Sequence, residues 1–304
     1  MYRQNICSYL LTITMLSCIL CVMSFNAVAQ QEEPKASTTK KQAVVRRPLP
    51  KAAGGSRGFE KYAGRVASAR LIVAAASRGE SADAKKFREE GEALYRSGQY
   101  NQGIEAFKQS LRANQEQPAV YFDLGVIYGE LQQHKEAVQA YQEAIRIKPD
   151  FPLAHLNLGN SYVDLGEYAK AIEAYKLASQ LQSIASRAYY NIGVAYTELG
   201  QTDDAIKAYK EAIHLQTDFA AAHYNLGIAY GTATLHKEAV GAFKEAIRLR
   251  EGSEESRFTL DEARFNLGLA LLHLNMKSEA TEQYRVLKEQ KSSLAEELYR
   301  LINR

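Results

Sequence analysis

The chain has 304 residues, 46% hydrophobic and 24% charged, a globular composition that excludes a wholly disordered protein. Its 38 Lys and Arg against 35 Asp and Glu leave a net charge of +3, too small a field to point to nucleic acid. Cys7, Cys18 and Cys21 all precede residue 22, so a chain trimmed behind them holds no disulfide, thiolate metal site or cysteine nucleophile.

Residues 1–29 read as an export signal. Arg3 supplies the positive start, an uncharged run extends from Ile6 to Phe25, and Ala27-Val28-Ala29 offers small residues to a peptidase. The run also just reaches bilayer-spanning length, so an uncleaved anchor over residues 6–25 is the competing reading. Both readings deliver everything beyond residue 30 across the membrane, to the periplasm or cell surface. Residues 30–83 hold 11 basic and 5 acidic side chains, whereas 84–304 hold 26 and 30. The stretch 30–58 is rich in Lys, Arg, Pro, Gly and Ser and has too few large apolar groups to offset the entropy of folding, so 30–83 is expected to be a basic tether. The tract Phe59–Ser77 is richer in Ala, Val and Leu but poorly periodic, and is read as linker.

From residue 84 the sequence repeats. Gly91, Gly125, Gly159, Gly193 and Gly227 stand 34 residues apart, and Gly268 follows after 41. Leu94, Tyr128, Tyr162, Tyr196, Tyr230 and Leu271 follow them at a fixed distance. So do Gly103, Ala137, Ala171, Ala205, Ala239 and Ala280, and then Phe107, Tyr141, Tyr175, Tyr209, Phe243 and Tyr284. Within a unit the spacing is helical twice over. Tyr121, Leu124, Gly125 and Tyr128 share one face of a first helix, and Ala137, Val138, Tyr141, Ala144 and Ile145 share one face of a second. Gly98, Gly166 and Gly200 end first helices where a positive φ is needed, and Pro118 and Pro152 start them. The small residues let two helices cross closely while an aromatic fills the gap.

"YFDLGVIYGE…KEAVQAYQEAIRIKPD" (Tyr121 to Asp150) resembles the tetratricopeptide repeat (TPR) family, and the resemblance runs from residue 84 to about 285. The expected fold is all-α, an α-solenoid of six helix hairpins at about 84–117, 118–151, 152–185, 186–219, 220–258 and 259–292, closed by a capping helix at 293–304. The resemblance implies a right-handed superhelix whose concave groove is lined by the first helices. Glu90 and Gly103 depart from the pattern and mark the first unit as an atypical end. Seven extra residues around Gly252 predict a bulging loop, after which Thr259 and Glu262 form a capping box; Ser293 and Glu296 form another before the apolar stripe Leu294, Leu298, Leu301 and Ile302.

The face of each first helix not used by the Gly and Tyr columns is expected to serve a guest. Two residues before the glycines stand Glu89, Asp123, Asn157, Asn191, Asn225 and Asn266, amides suited to gripping the backbone of an extended peptide; in superhelical relatives such an asparagine ladder binds one. Beside them run Phe122, Leu156, Tyr190, Tyr224 and Phe265, which either anchor a guest or pack on the adjacent repeat. Glu130, Asp164 and Glu198 make an acidic column that selects a basic guest or is simply solvated. The chain carries such a guest itself in Lys40-Lys41 and Arg46-Arg47. The basic clamp by which cochaperone TPRs hold a terminal carboxylate has Phe122, Leu156, Tyr190 and Tyr224 at its candidate places.

Chemistry is scarce. No metalloprotease, hydrolase or nucleotide-binding motif is present; His155 and His223 fall in a column of large packed residues, and His134, His214, His236 and His273 show no ligand spacing. The sequence therefore points to a non-catalytic scaffold of the cell envelope, without metal or cofactor, that binds a protein or peptide partner. The alternatives are a structural assembly factor of an envelope export or glycan-export complex, and a regulatory subunit of a separately encoded enzyme.

Overall fold

A computed structural model describes residues 81–250 and 257–304. The leader, the tether with its Lys40-Lys41 and Arg46-Arg47 pairs, the Phe59–Ser77 tract and the centre of the insert lie outside the described residues. Thirteen α-helices follow one another: α1 (Ala82–Arg96), α2 (Tyr100–Ala113), α3 (Pro118–Glu130), α4 (His134–Ile147), α5 (Pro152–Asp164), α6 (Tyr168–Ser179), α7 (Ala185–Glu198), α8 (Thr202–Leu215), α9 (Ala220–Thr232), α10 (His236–Arg250), α11 (Arg257–His273), α12 (Lys277–Glu289) and α13 (Ala295–Ile302). No strand occurs among the described residues. The odd and even members up to α12 pair as antiparallel hairpins, and each hairpin packs on the next, giving an α-solenoid.

The hairpins are closed by one repeated device. After each first helix a residue takes the left-handed conformation, and the next amide reaches back to the carbonyl five residues earlier, as Glu167 N does to Tyr162 O at 2.8 Å. Gly98, Gly166 and Gly200 do this at φ 72–75°. Gln132, Thr234 and Asn275 do it at φ 58°, 61° and 60°, without the freedom glycine brings. The turn is therefore set by the stacking of the hairpin, and glycine only eases it.

Each hairpin is locked by a notch. A Cβ on Gly91, Gly125, Gly159, Gly193 or Gly227 would lie 2.4–2.8 Å from the ring of Phe107, Tyr141, Tyr175, Tyr209 or Phe243, each a buried side chain of the following helix. Burying such a ring contributes on the order of 2–3 kcal/mol, and contact this close requires the missing side chain.

Every first helix spends two stripes on packing. Counted from the repeat glycine, the residues at −4, −1, 0 and +3 face the second helix of their own hairpin. Those at −5, −2, −1 and +2 form the i, i+3, i+4, i+7 stripe that meets the preceding hairpin. In α5 the latter are Ala154, Asn157, Leu158 and Ser161, all buried. Unit 1 departs from this: its equivalents Lys86, Glu89, Glu90 and Ala93 are exposed, because no hairpin precedes α1 among the described residues. The departure of Glu90 from the repeat pattern suits the outer face of the first described hairpin.

The far end differs from the sequence expectation in three places. α11 begins at Arg257, ahead of Thr259, so the helix does not start at the expected N-cap; extra helical residues in α10 and α11 absorb much of the insert. At α13 the N-cap is Leu294, whose amide donates to Ser292 Oγ at 3.3 Å, so Ser293 and Glu296 form no capping box. Over Gly268 lies Leu298 of α13, at 2.8 Å from the Cβ position, where earlier units place the aromatic of their own second helix. Tyr284 turns outward instead and packs on Tyr299, ring centroids 5.1 Å apart. Leu298, Ile302 and Ala295 are buried, with Leu294 and Leu301 packed beside them, so the expected apolar stripe does close the array.

Candidate functional site

The third stripe of each first helix, at −6, −3, +1 and +5, is only partly used in packing: Leu156 and Val194 on it are buried, whereas Phe122, Val126, Asn160 and Tyr190 are half-buried. In α3 it reads Ala119, Phe122, Val126, Glu130; in α5 Leu153, Leu156, Asn160, Asp164; in α7 Arg187, Tyr190, Val194, Glu198. Successive first helices touch along this wall: α1 with α3, α3 with α5, α7 with α9 and α9 with α11, while α5 and α7 both meet the short 3-10 turn Gln182–Ile184. The helices α3, α5, α7 and α9 together carry Asp123, Glu130, Asp164 and Glu198 against Arg187 alone, whereas Lys135, Arg146, Lys170, Lys207 and their like stand on second helices. The inner stripe is thus apolar along its middle and acidic along one edge.

The asparagine column is placed differently from the sequence expectation. Asn157, Asn191, Asn225 and Asn266 are 7%, 7%, 3% and 0% exposed, and Asp123 is buried with them. They occupy the −2 position of the stripe that meets the preceding hairpin, so they do not line an open face. Their amides tie neighbouring units together: Asn191 Nδ2 donates to Asn160 Oδ1 at 3.2 Å, Asn225 Nδ2 to the Tyr190 hydroxyl at 3.1 Å, and Asn266 Nδ2 to the Tyr224 hydroxyl at 3.2 Å. The Asn157 side chain bonds the Tyr141 hydroxyl. The Oδ1 atoms of Asn157 and Asn266 are buried without a partner among the described residues. Burial raises the Tyr141, Tyr175 and Tyr209 phenols far above the ordinary value, so they stay neutral hydroxyls.

Beside this column the aromatic side chains pack largely on the adjacent repeat. Leu156, Tyr224 and Phe265 are buried; Phe122 and Tyr190 are half-buried. Phe122 stacks on Phe151 at 5.0 Å and Tyr190 on Phe219 at 4.9 Å, rings supplied by the loop that leads into the next unit. Phe122 and Tyr190 still show part of their rings on the inner stripe. Glu130 and Asp164 are exposed and Glu198 half-buried, at the +5 end of the same stripe; Asp164 Oδ2 lies 3.4 Å from His134 Nδ1.

Asn160 was not singled out from the sequence. Its Oδ1 accepts from the Tyr175 hydroxyl at 2.7 Å as well as from Asn191, while among the described residues its Nδ2 donates to nothing. With the oxygen held twice, the amide nitrogen is left as an oriented donor. The signal for it was a polar residue in the +1 column that, beyond Glu92 of the end unit, is otherwise filled by Val126, Val194, Ile228 and Leu269. At the far end Tyr224 donates to Glu262 Oε2 at 3.5 Å, and burial raises the Glu262 carboxyl above the usual range.

His155 and His223 are packed residues whose Nε2 donates to the carbonyls of Pro149 and Thr217, at 2.8 and 3.1 Å, pinning the loop ahead of their helix. Among the described residues no three His, Cys, Asp or Glu converge on a metal-sized site. No described helix is long and apolar enough to cross a membrane.

A stack of helix hairpins that presents one residual stripe per unit defines a repeat scaffold for protein interaction. The family model described as "TPR repeat" matches residues 91–132, 127–166, 159–200 and 195–232, and the chain belongs to the tetratricopeptide-repeat family. Among solved structures, a MamA protein is 26% identical over 58% of this chain and 96% of its own, with a TM-score of 0.53. PilW, described as a widely conserved type IV pilus biogenesis factor, is 17% identical over 72% of this chain and 99% of its own, TM-score 0.57. YrrB, described as a TPR protein with an unusual peptide-binding site, is 19% identical over 64% of this chain and 98% of its own, TM-score 0.53. No curated protein matches. The family model stops at residue 232, yet α10, α11 and α12 continue the same stacking.

Proposed function

We propose that the protein is a non-catalytic scaffold of the cell envelope that holds an extended protein segment along the inner stripe of its first helices. The observation that carries this reading is the makeup of that stripe in α3, α5 and α7: part-exposed Phe122, Val126 and Tyr190, the oriented Asn160 amide, and the edge of Glu130, Asp164 and Glu198. Apolar side chains of a guest would lie on the middle of the stripe. A backbone carbonyl would accept from Asn160, and Lys or Arg would reach the acidic edge. Weak contacts repeated over several units add up by avidity. Asp123, Asn157, Asn191, Asn225 and Asn266 would act behind the surface, by fixing the angle between units, and Tyr224 and Phe265 by filling the seams. The envelope location rests on the leader in residues 1–29; the likeness to PilW bears on the fold alone.

A peptide array of extended segments tests the proposal. Segments that combine apolar residues with Lys or Arg should bind, and Glu130→Lys with Glu198→Lys should shift the preference away from basic segments while the helical circular-dichroism signal is kept. Equal retention of acidic and basic segments by both proteins would remove the proposal.

A further inference from the structure

The last junction of the stack carries a pair of titratable groups, one of them at the +5 place of α11, beyond the α3, α5 and α7 segment that carries the proposed binding. His236 is the first residue of α10 and His273 the last of α11, so they meet across the seam between the fifth and sixth units. Their rings lie face to face, centroids 4.3 Å apart and planes within 4°. We propose that this seam is an acid-sensitive joint: protonation of both imidazoles sets like charges in contact and loosens the hold of the last hairpin and its cap on the array.

The surroundings oppose a charge on His236. His236 stands at the positive end of α10, where a further positive charge is disfavoured, and His273 at the negative end of α11. Burial, and then the charge of His273, hold His236 below the usual histidine value. A depressed histidine favours the folded state above its ordinary pKa of about 6.5, and that stability is lost as the pH falls through the lowered value. Among the described residues neither imidazole is ion-paired with a carboxylate. α9 has His223 as its one titratable histidine and no charged side chain, and the turn at 233–235 has neither. α11 keeps Asp261 and Glu262 at its opposite end, and the sequence from 265 to 276 holds only His273. The remaining charges nearby in sequence are Lys237 and Glu238 on α10 itself and Lys277 and Glu279 at the start of α12, which packs on α11; Glu279 is engaged by Ser278, its hydrogen-bond partner, and by Lys244 of α10. The equivalent junction between the second and third units pairs the first residue of α4 with the last of α5, and there His134 faces Asp164, a carboxylate. A proton at that seam meets an opposite charge, so it is the internal control.

Amide hydrogen exchange on the full chain, corrected for the intrinsic pH dependence of exchange, tests the inference between about pH 7.5 and about pH 5, on either side of the ordinary histidine value. Protection of α11 to α13 should fall about fivefold relative to α3 to α6, the effect of two unit charges at this separation in a high-dielectric surface setting. His273→Gln and, separately, His236→Gln should each abolish that relative fall. In His273→Gln the His236 titration followed by NMR should move to higher pH. An undiminished fall in both variants, no relative fall in the wild type, or an unmoved His236 midpoint would overturn the proposal. None of these outcomes depends on whether a guest binds the inner stripe.

Discussion

Two glycine-to-alanine substitutions with the same intrinsic chemistry should change stability in opposite directions. A Cβ on Gly159 would stand 2.4, 2.6 and 2.8 Å from Cε1, Cδ1 and Cζ of Tyr175, a ring with no exposed surface whose hydroxyl donates to Asn160 at 2.7 Å. The ring has nowhere to retreat, so overpacking costs about 1–3 kcal/mol and a strained or broken hydroxyl bond about 1–3 kcal/mol more. Against this, alanine gains about 1 kcal/mol over glycine inside a helix. The expected net loss is about 1–5 kcal/mol. Gly241 is exposed in the middle of α10 and a Cβ there meets nothing within 4 Å, so Gly241→Ala should show the helix gain alone, about 1 kcal/mol. Urea unfolding followed by the helical circular-dichroism signal measures both, with hydrogen exchange locating the change, because repeat arrays need not unfold in one step. A Gly159→Ala protein as stable as the wild type would refute the notch, and a destabilised Gly241→Ala would refute the ledger of helix preference.

Two smaller changes probe the turn and the cap. Thr234→Gly should stabilise the protein by about 0.5–1 kcal/mol, since a β-branched residue at φ 61° carries about 1–2 kcal/mol of strain and glycine restores somewhat less in unfolded-state entropy; a lowered unfolding midpoint would contradict this. Leu298→Ala should cost about 2–5 kcal/mol of local stability, seen as lost protection in α11, α12 and α13 with α3 to α6 unchanged, and a loss spread evenly over the array would count against the local role of the cap.

The hairpins were legible because their signal is periodic and redundant: the glycine, alanine and aromatic columns all report the same helix crossing. The turns were legible only where glycine marked them. Gln132 and Thr234 adopt the same conformation with no compositional sign, because the hairpin around them imposes it, and Asn275 carries the weaker sign of a residue that tolerates it. The asparagine column was misplaced for a geometric reason. One helix in a stack buries two stripes, and a reading that subtracts only the first leaves a face that looks free when the preceding unit covers half of it. The exposed remainder, with Asn160 on it, appears only after both are removed. At the C-terminal end the column placed Tyr284 against Gly268, but the additional helix brought Leu298 there, a competition between two apolar groups that spacing within one unit does not encode.

The charged flank of the opening helix has an evolutionary corollary. A new module joined ahead of Ser81 would have to seat its inner wall on Lys86, Glu89 and Glu90, and one joined behind α13 would meet a helix already folded over the terminal surface. Within the described array, a block copied in the interior would therefore arrive with matching flanks on both sides, whereas one copied beside α1 or α13 would have to bring a flank that fits charges or a folded-over helix.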